Sequence, residues 1–263
     1  MRRRLDAEIV RRGLSESRTE AQIAVKRGLV TVGGRPATKA STLVGSGEAV
    51  HILGPPRRFV SRGGDKLEAA LVTFGIDVAG MTCIDAGAST GGFTDCLLQR
   101  GASRVASVDV GYGQLAWSLR TDARVVLLER TNVRDLHASM LPFEARFVCA
   151  DLSFISLRLV LGALARSAAA DATFVLLVKP QFEAGAGQVG KGGVIRDPVI
   201  WERAILGVVA AASEHGLQPT GLIASPMLGP AGNVEFLLGA AATSTAAWFD
   251  VAAAIPRAIE ARP

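Results

Sequence analysis

The residues of this chain best suited to chemistry stand where short apolar runs end. Asp85-Ala-Gly-Ala-Ser-Thr-Gly-Gly-Phe93 follows one such run and opens a helical pattern. Within it Gly87, Gly91 and Gly92 let a ligand approach the backbone closely, and the helix beyond presents free N–H groups to that ligand. Asp109 closes the next run, 18 residues after Gly91, where a carboxylate accepts hydrogen bonds from both ribose hydroxyls of a nucleoside. A dinucleotide loop would read GxGxxG, whereas this one reads DxGxxxGG, which suits a nucleoside without pyrophosphate. Asp151, in Cys149-Ala-Asp151-Leu-Ser-Phe-Ile-Ser156, and Lys179, in Leu177-Val-Lys179-Pro-Gln-Phe-Glu183, end two further runs. Charges bracketed by apolar residues at strand tips are poorly explained by solubility; the competing explanation is a buried ion pair that fixes the sheet. Lys66, in Ser61-Arg-Gly-Gly-Asp-Lys66, and Glu235, among apolar neighbours, are not selected by spacing. His51, His137 and His215 stand alone and read as strand, loop and helix-end residues. Tyr112 and Trp117 suit stacking on a base as well as a core or lid position.

The elements that must hold these residues follow from periodicity. Cys83–Asp85, Arg104–Asp109, Arg124–Leu128, Phe147–Asp151 and Thr173–Val178 are short apolar runs of the kind buried on both faces of a parallel sheet, and the spacers between several of them hold crossover helices. A helix is expected from Asp197-Pro198 to Gly216. Gly221–Ser225 and Val234–Leu238 flank a Gly/Pro-rich loop and predict a hairpin, which gives the mostly parallel sheet an antiparallel edge strand. Ahead of this region, Leu5, Ile9, Val10, Leu14, Ala21, Ile23 and Ala24 predict two short helices between Arg4 and Lys26, broken at Gly13, with Ser17 and Glu20 at capping-box spacing. Strands follow at Leu29–Val32 and Glu48–Leu53, with Gly33-Gly34 as a tight turn. Gly54-Pro55-Pro56 marks a boundary. The division expected is a small domain over 1–56, a linker over 57–62 and a large α/β domain over 63–263.

Charge separates the two parts. The 263 residues hold 29 Lys and Arg against 24 Asp and Glu; residues 1–62 have 13 basic and 5 acidic side chains, a net of +8, and the remainder has 16 and 19, a net of −3. With 49% hydrophobic and 20% charged residues the composition excludes a disordered tail. Cys83, Cys96 and Cys149 have no CxxC spacing, so a disulfide scaffold and a zinc ribbon are not expected, and small buried residues are. Arg2-Arg3-Arg4 is followed by charges where a signal peptide needs an apolar stretch, and no apolar run approaches the ~20 residues of a membrane span. A cytoplasmic chain without a membrane partner is expected.

Taken together, SRGGDKL, DAGASTGGF, VDVGYGQL, ADLSFISL, LVKPQFE and GNVEF resemble the TlyA family of ribosomal RNA 2′-O-methyltransferases, and residues 63–240 resemble the FtsJ/RrmJ-type class I, Rossmann-like methyltransferase fold. Residues 1–53 are similar to an S4-like α+β RNA-binding domain, through Arg4-Leu-Asp6, Gly13-Leu14, Ser17-Arg18 and the stretch from Gly28 to Arg35. The resemblance implies a Lys-Asp-Lys-Glu tetrad at Lys66, Asp151, Lys179 and Glu235, with S-adenosylmethionine as methyl donor. It places the donor at Asp85, Gly87, Ala88, Ser89, Thr90, Gly91, Gly92, Asp109, Val110, Asn132 and Asp151; Asp135 is a weaker candidate than Asn132. The implied product is a 2′-O-methylated nucleotide, a cytidine of 16S or 23S type ribosomal RNA, free or within a ribosomal subunit. Arg4, Arg11, Arg12, Arg18, Lys26, Arg27, Arg35, Arg57 and Arg58 are the expected RNA contacts. Lys179 would serve either as the base that takes the hydroxyl proton, for which it must be neutral, or as the cation that orients the oxygen. A sulfonium donor carries an activated methyl, so no metal is expected. The family's other name, haemolysin, suggests a membrane-active protein instead, and a non-catalytic ribosome-binding factor is a further alternative.

Overall fold

Leu5, Ile9, Ala21, Val25, Val30, Val44 and Val50 are the apolar residues that the first sixty positions can gather, and all of them are buried together. A computed structural model describes residues 2–15, 18–53, 58–190, 192–241 and 249–263, in two compact units, Met1–Arg57 and Arg58–Pro263. Ser17, the Glu20 side chain, Gly54-Pro55-Pro56 and Arg57 lie outside the described residues.

In the first unit β1 (Arg2–Arg4) leads into α1 (Leu5–Arg11) and α2 (Arg18–Lys26), followed by β2 (Val30–Val32), β3 (Arg35–Pro36), β4 (Leu43–Gly45) and β5 (Val50–Ile52). Helices this short are marginal alone and depend on the shared core. Gly33 and Gly34 have φ of 55° and 79°, and between them β2 turns back onto β3 with Val32 opposite Arg35; β5 pairs with the other side of β2. The sequence pattern puts Arg4 at the start of a helix, but Arg2–Arg4 instead forms an exposed strand paired antiparallel with β4. Tertiary pairing decides this, because three successive arginines carry no strand signal of their own.

The second unit contains α3 (Gly63–Phe74), β6 (Thr82–Ala86), α4 (Gly92–Gln99), β7 (Arg104–Val108), α5 (Trp117–Arg120), β8 (Val125–Leu128), β9 (Ala145–Ala150), α6 (Leu161–Ser167), β10 (Ala168–Val178), α7 (Pro180–Glu183), α8 (Pro198–Glu214), β11 (Gln218–Ala224), β12 (Phe236–Ala241) and α9 (Val251–Glu260). Its seven-stranded sheet has the order β11-β12-β10-β9-β6-β7-β8. Strand residues alternate between two apolar layers. Phe174, Leu176 and Val178 join Leu161, Trp201 and Ile205 on one face, while Val175 and Leu177 join Leu67, Phe93 and Leu97 on the other. The hairpin β11–β12 reverses the chain as expected, with one difference of placement. The reversed strand, β12, lies one place in from the edge, antiparallel to both β10 and β11, and β11 is outermost. In this position Phe236, Leu237 and Leu238 are fully buried, which an edge would not achieve.

Two stretches outside the expected helices and strands join the core of the second unit. Residues 58–62, expected within a linker, pack on the second unit: Phe59 is buried and the Val60 amide donates to Asp95 at 2.8 Å. Near the other end, α9 buries Ala254, Ile255 and Ala258 in the layer that contains α8 and β11.

Candidate active site

The loop expected to hold the donor is a sharp turn from β6 into α4. Gly87 has φ of 87°, and a Cβ there would stand 2.4 Å from the Asp151 carbonyl oxygen, so only glycine lets the loop lie against the exit of β9. Asp109 follows β7, where one carboxylate oxygen accepts from the Ser89 amide at 2.8 Å and the other from the Gly111 amide at 2.6 Å. It faces a cleft of about 470 Å³ whose walls include Gly87, Ser89, Val110, Asn132 and Asp151. The side chain of Asn132 caps the short turn after it by accepting from the Arg134 amide.

Other expected donor residues shape the loop from behind. Ala88 is buried among apolar side chains, the Thr90 carbonyl accepts from the Ala116 amide, and Gly91 and Gly92 leave room for Leu119 and Ser61. Asp85 does not line the cleft. It is fully buried and accepts from the Thr94 amide and hydroxyl through Oδ2, leaving Oδ1 unpartnered. Burial pushes its carboxyl up to about 7, aided by the charges of Asp151 and Asp109 and opposed by the Thr94 bonds. Asp135, Tyr112 and Trp117 are exposed, and none of them lines this cleft.

The four residues of the expected tetrad form two ion pairs. Lys179, just past β10, reaches Asp151, just past β9, with Nζ to Oδ1 at 2.6 Å, and also donates to Ser153 at 2.9 Å. Lys66, in α3, reaches Glu235, just before β12, with Nζ to Oε2 at 2.6 Å; both are buried, and Glu235 Oε1 is unpartnered. Val178 and Phe236 are register partners in the antiparallel pair β10–β12, so Lys179 and Glu235 are the next residues across the same two strands. The reversal of β12 thus carries a late residue to the rim where the parallel strands end.

Ser153, Phe154 and Gln114 belong to this region although spacing did not select them. Ser153, Phe154 and Gln114 line the cleft. Phe154 has φ of 64°, is 92% exposed and packs 5.3 Å from the Phe182 ring. A positive φ on a bulky residue is a local strain that sequence does not announce. Serine and phenylalanine within ADLSFISL are too common to be singled out by type.

The expected RNA contacts divide into bound and free cations. Asp6, fully buried, accepts from Arg4, Arg18 and Gln22, while Glu8 accepts from Arg11 and Arg12. The Arg4 guanidinium holds the Asp6 carboxyl well below the usual range, and Arg11 and Arg12 do the same for Glu8. Arg12 also donates to the carbonyls of Gly45, Ser46 and Glu48, so its guanidinium ties α1 to the turn before β5. Arg58 pairs with Glu68. Lys26, Arg27 and Arg35 are exposed and have no ion-pair partner among the described residues.

Residues 59–242 match the model of the FtsJ-like methyltransferases, and residues 3–50 match the S4 domain. The chain is 53% identical, over 90% of its length and 89% of the relative's, to the 16S/23S rRNA (cytidine-2′-O)-methyltransferase TlyA of Mycobacterium tuberculosis. This chain belongs to the TlyA family. Family members also carry another name: Hemolysin A of Brachyspira hyodysenteriae is 38% identical over 89% of this chain and 98% of its own. The solved structure of a hemolysin-type protein from Streptococcus thermophilus superposes with a TM-score of 0.83 at 40% identity, covering 98% of this chain and 94% of that one.

Proposed function

We infer that this TlyA-family chain transfers the methyl group of S-adenosylmethionine to the 2′-hydroxyl of a cytidine ribose in ribosomal RNA, and that the S4 domain in its first unit grips the RNA. The observation that carries the reading is a nucleoside-sized cleft faced by Asp109, with the Lys179–Asp151 ion pair at the same rim of the sheet. The cleft fits the donor. Asp109 would offer acceptors to its ribose hydroxyls, Val110 and Asn132 would flank its base, and Gly87 and Ser89 would present backbone to its amino acid end. When bound, the sulfonium supplies an already activated methyl, which requires no metal.

Lys179 has three N–H donors. Asp151 and Ser153 occupy two, and the third is left to hold the attacking 2′-oxygen. As the ammonium, Lys179 would orient the oxygen while the hydroxyl proton is lost to water; as the neutral amine, its lone pair would take that proton. Positioning can remove ~7 to 11 kcal/mol from a barrier, whereas base assistance gives ~10²- to 10⁴-fold. The exposed Phe154 ring beside the cleft suits stacking on the target base. A ribosomal RNA substrate implies work in the cytoplasm.

Lys179→Ala is expected to reduce transfer of labelled methyl to ribosomal RNA by at least ~10²-fold, with donor affinity by calorimetry largely retained. Wild-type turnover in that variant would overturn the assignment. A membrane-active role has no comparable support, since no described helix is long and apolar enough to cross a membrane. A purely binding role would leave the Lys179–Asp151 pair and the donor cleft without purpose.

A further inference from the structure

A second hollow, of about 280 Å³, lies on the α8 side of the same rim. Its walls come from the two strand exits that carry the catalytic residues: Arg158 follows β9 and Asp151, while Glu183 and Gln188 follow β10 and Lys179. Arg203 and Gly207 of α8 complete it.

The charges in this hollow do not balance. Glu183, its acidic residue, is buried and already accepts from the Ser156 hydroxyl, the Leu157 amide and the Arg158 guanidinium. Arg158 is fixed in turn, since its Nε lies 3.1 Å from Ser156 Oγ and it donates to the Glu183 carbonyl at 3.0 Å. Arg203 is exposed and has no hydrogen bond or ion pair among the described residues. Two guanidinium groups therefore face one concavity with a single, heavily engaged carboxylate, on a unit whose sequence is net negative. A planar guanidinium fork matches phosphate oxygens in pairs, and one held in place by Ser156 and Glu183 loses little freedom on binding.

We propose that this hollow binds a backbone phosphate of the RNA substrate, with Arg203 and Arg158 as its cations. The site rests on the reaction inferred above and would hold a nucleotide flanking the target, because its walls continue directly from Asp151 and Lys179. Arg203 contributes affinity and register and does not touch the reacting atoms.

The test uses the full chain carrying Arg203→Ala, Arg203→Glu or Arg203→Lys. Alanine is the better helix former and the position is exposed, so α8 tolerates the change. Binding of a ribosomal RNA fragment is measured across a salt series, beside methylation kinetics and donor calorimetry. With Ala, the slope of log affinity against log salt should become shallower by roughly 0.7 to 0.9, the share of one neutralised phosphate. The KM for RNA should rise at unchanged kcat and unchanged donor affinity, with Glu worse than Ala, and with Lys restoring the salt slope but only part of the affinity, since an ammonium lacks the fork. Wild-type slope and KM in both Ala and Glu would overturn the site. So would a fall in kcat at wild-type RNA affinity, which would mean that Arg203 acts through the loop around Glu183. Failure of the wild-type chain to methylate RNA would overturn the reaction alone, since the salt slope tests the phosphate site independently.

Discussion

Asp85 pays a desolvation cost that two bonds from Thr94 only partly offset, and this gives the protein a measurable dependence on pH. Its carboxyl is raised from 3.8 to about 7 in the folded chain, so the folded state holds the proton more tightly than the unfolded one. Stability from this group is therefore complete below about pH 4 and declines as pH rises towards 7. At ~1.4 kcal/mol per unit, the decline is at most about 4 kcal/mol. Glu8 and Glu68 are lowered to about 2 by their arginines, so their contribution is present above pH 4.5 and is lost only in acid, outside that window. Asp85→Asn keeps an oxygen for Thr94 and removes the titration. Thermal melts of both proteins from pH 4.5 to 8 should show the variant gaining on the wild type up to about pH 7 and running parallel above it. Curves parallel throughout would mean that Asp85 is not the titrating group.

At the scale of elements, what was legible in the sequence were the strands that end in chemistry. Asp109, Asp151 and Lys179 each stand one residue past β7, β9 and β10, because buried parallel strands are uninterrupted apolar runs and the first charge after each marks its exit. β1 was illegible for the opposite reason: its arginines are exposed, and only pairing with β4 makes them a strand. The placement of β12 inside the sheet was hidden too, since a hairpin pattern gives pairing and not position. Nor could residue type separate Arg12, tied to Glu8 and three carbonyls, from Arg27, which has no ion-pair partner among the described residues. The turn from β6 into α4 carries its own test. Gly87→Ala places a methyl group against backbone at a φ that alanine avoids, so the loop must shift at a cost of ~1 to 3 kcal/mol. A lower melting temperature and weaker donor affinity by calorimetry are expected, and wild-type values in both would show that the loop has room.

For the molecule as a whole, the ion pairs revise the charge arithmetic of the first unit. Arg3, Arg4, Arg11, Arg12 and Arg18 share the carboxylates of Asp6 and Glu8, so these arginines are held in fixed poses with part of their charge neutralised. Lys26, Arg27 and Arg35 keep their charge unshared among the described residues, and they should carry much of the salt dependence of RNA binding. Replacing all three by Glu in the full chain should flatten the salt slope by about 0.7 to 0.9 for each phosphate that is no longer neutralised, with donor affinity unchanged. An unchanged slope would move the RNA footprint to the bound arginines or to the second unit. The inserted strand β12 reaches further, into the order of events during synthesis. Lys66 is made early, yet its partner Glu235 follows 169 residues later and arrives on a strand that must enter between β10 and β11. Such a distant pairing is entropically slow to close, so a growing chain can build much of the proposed donor cleft before the proposed tetrad is complete. The proposed cleft and the Lys66–Glu235 pair would therefore be completed at different times.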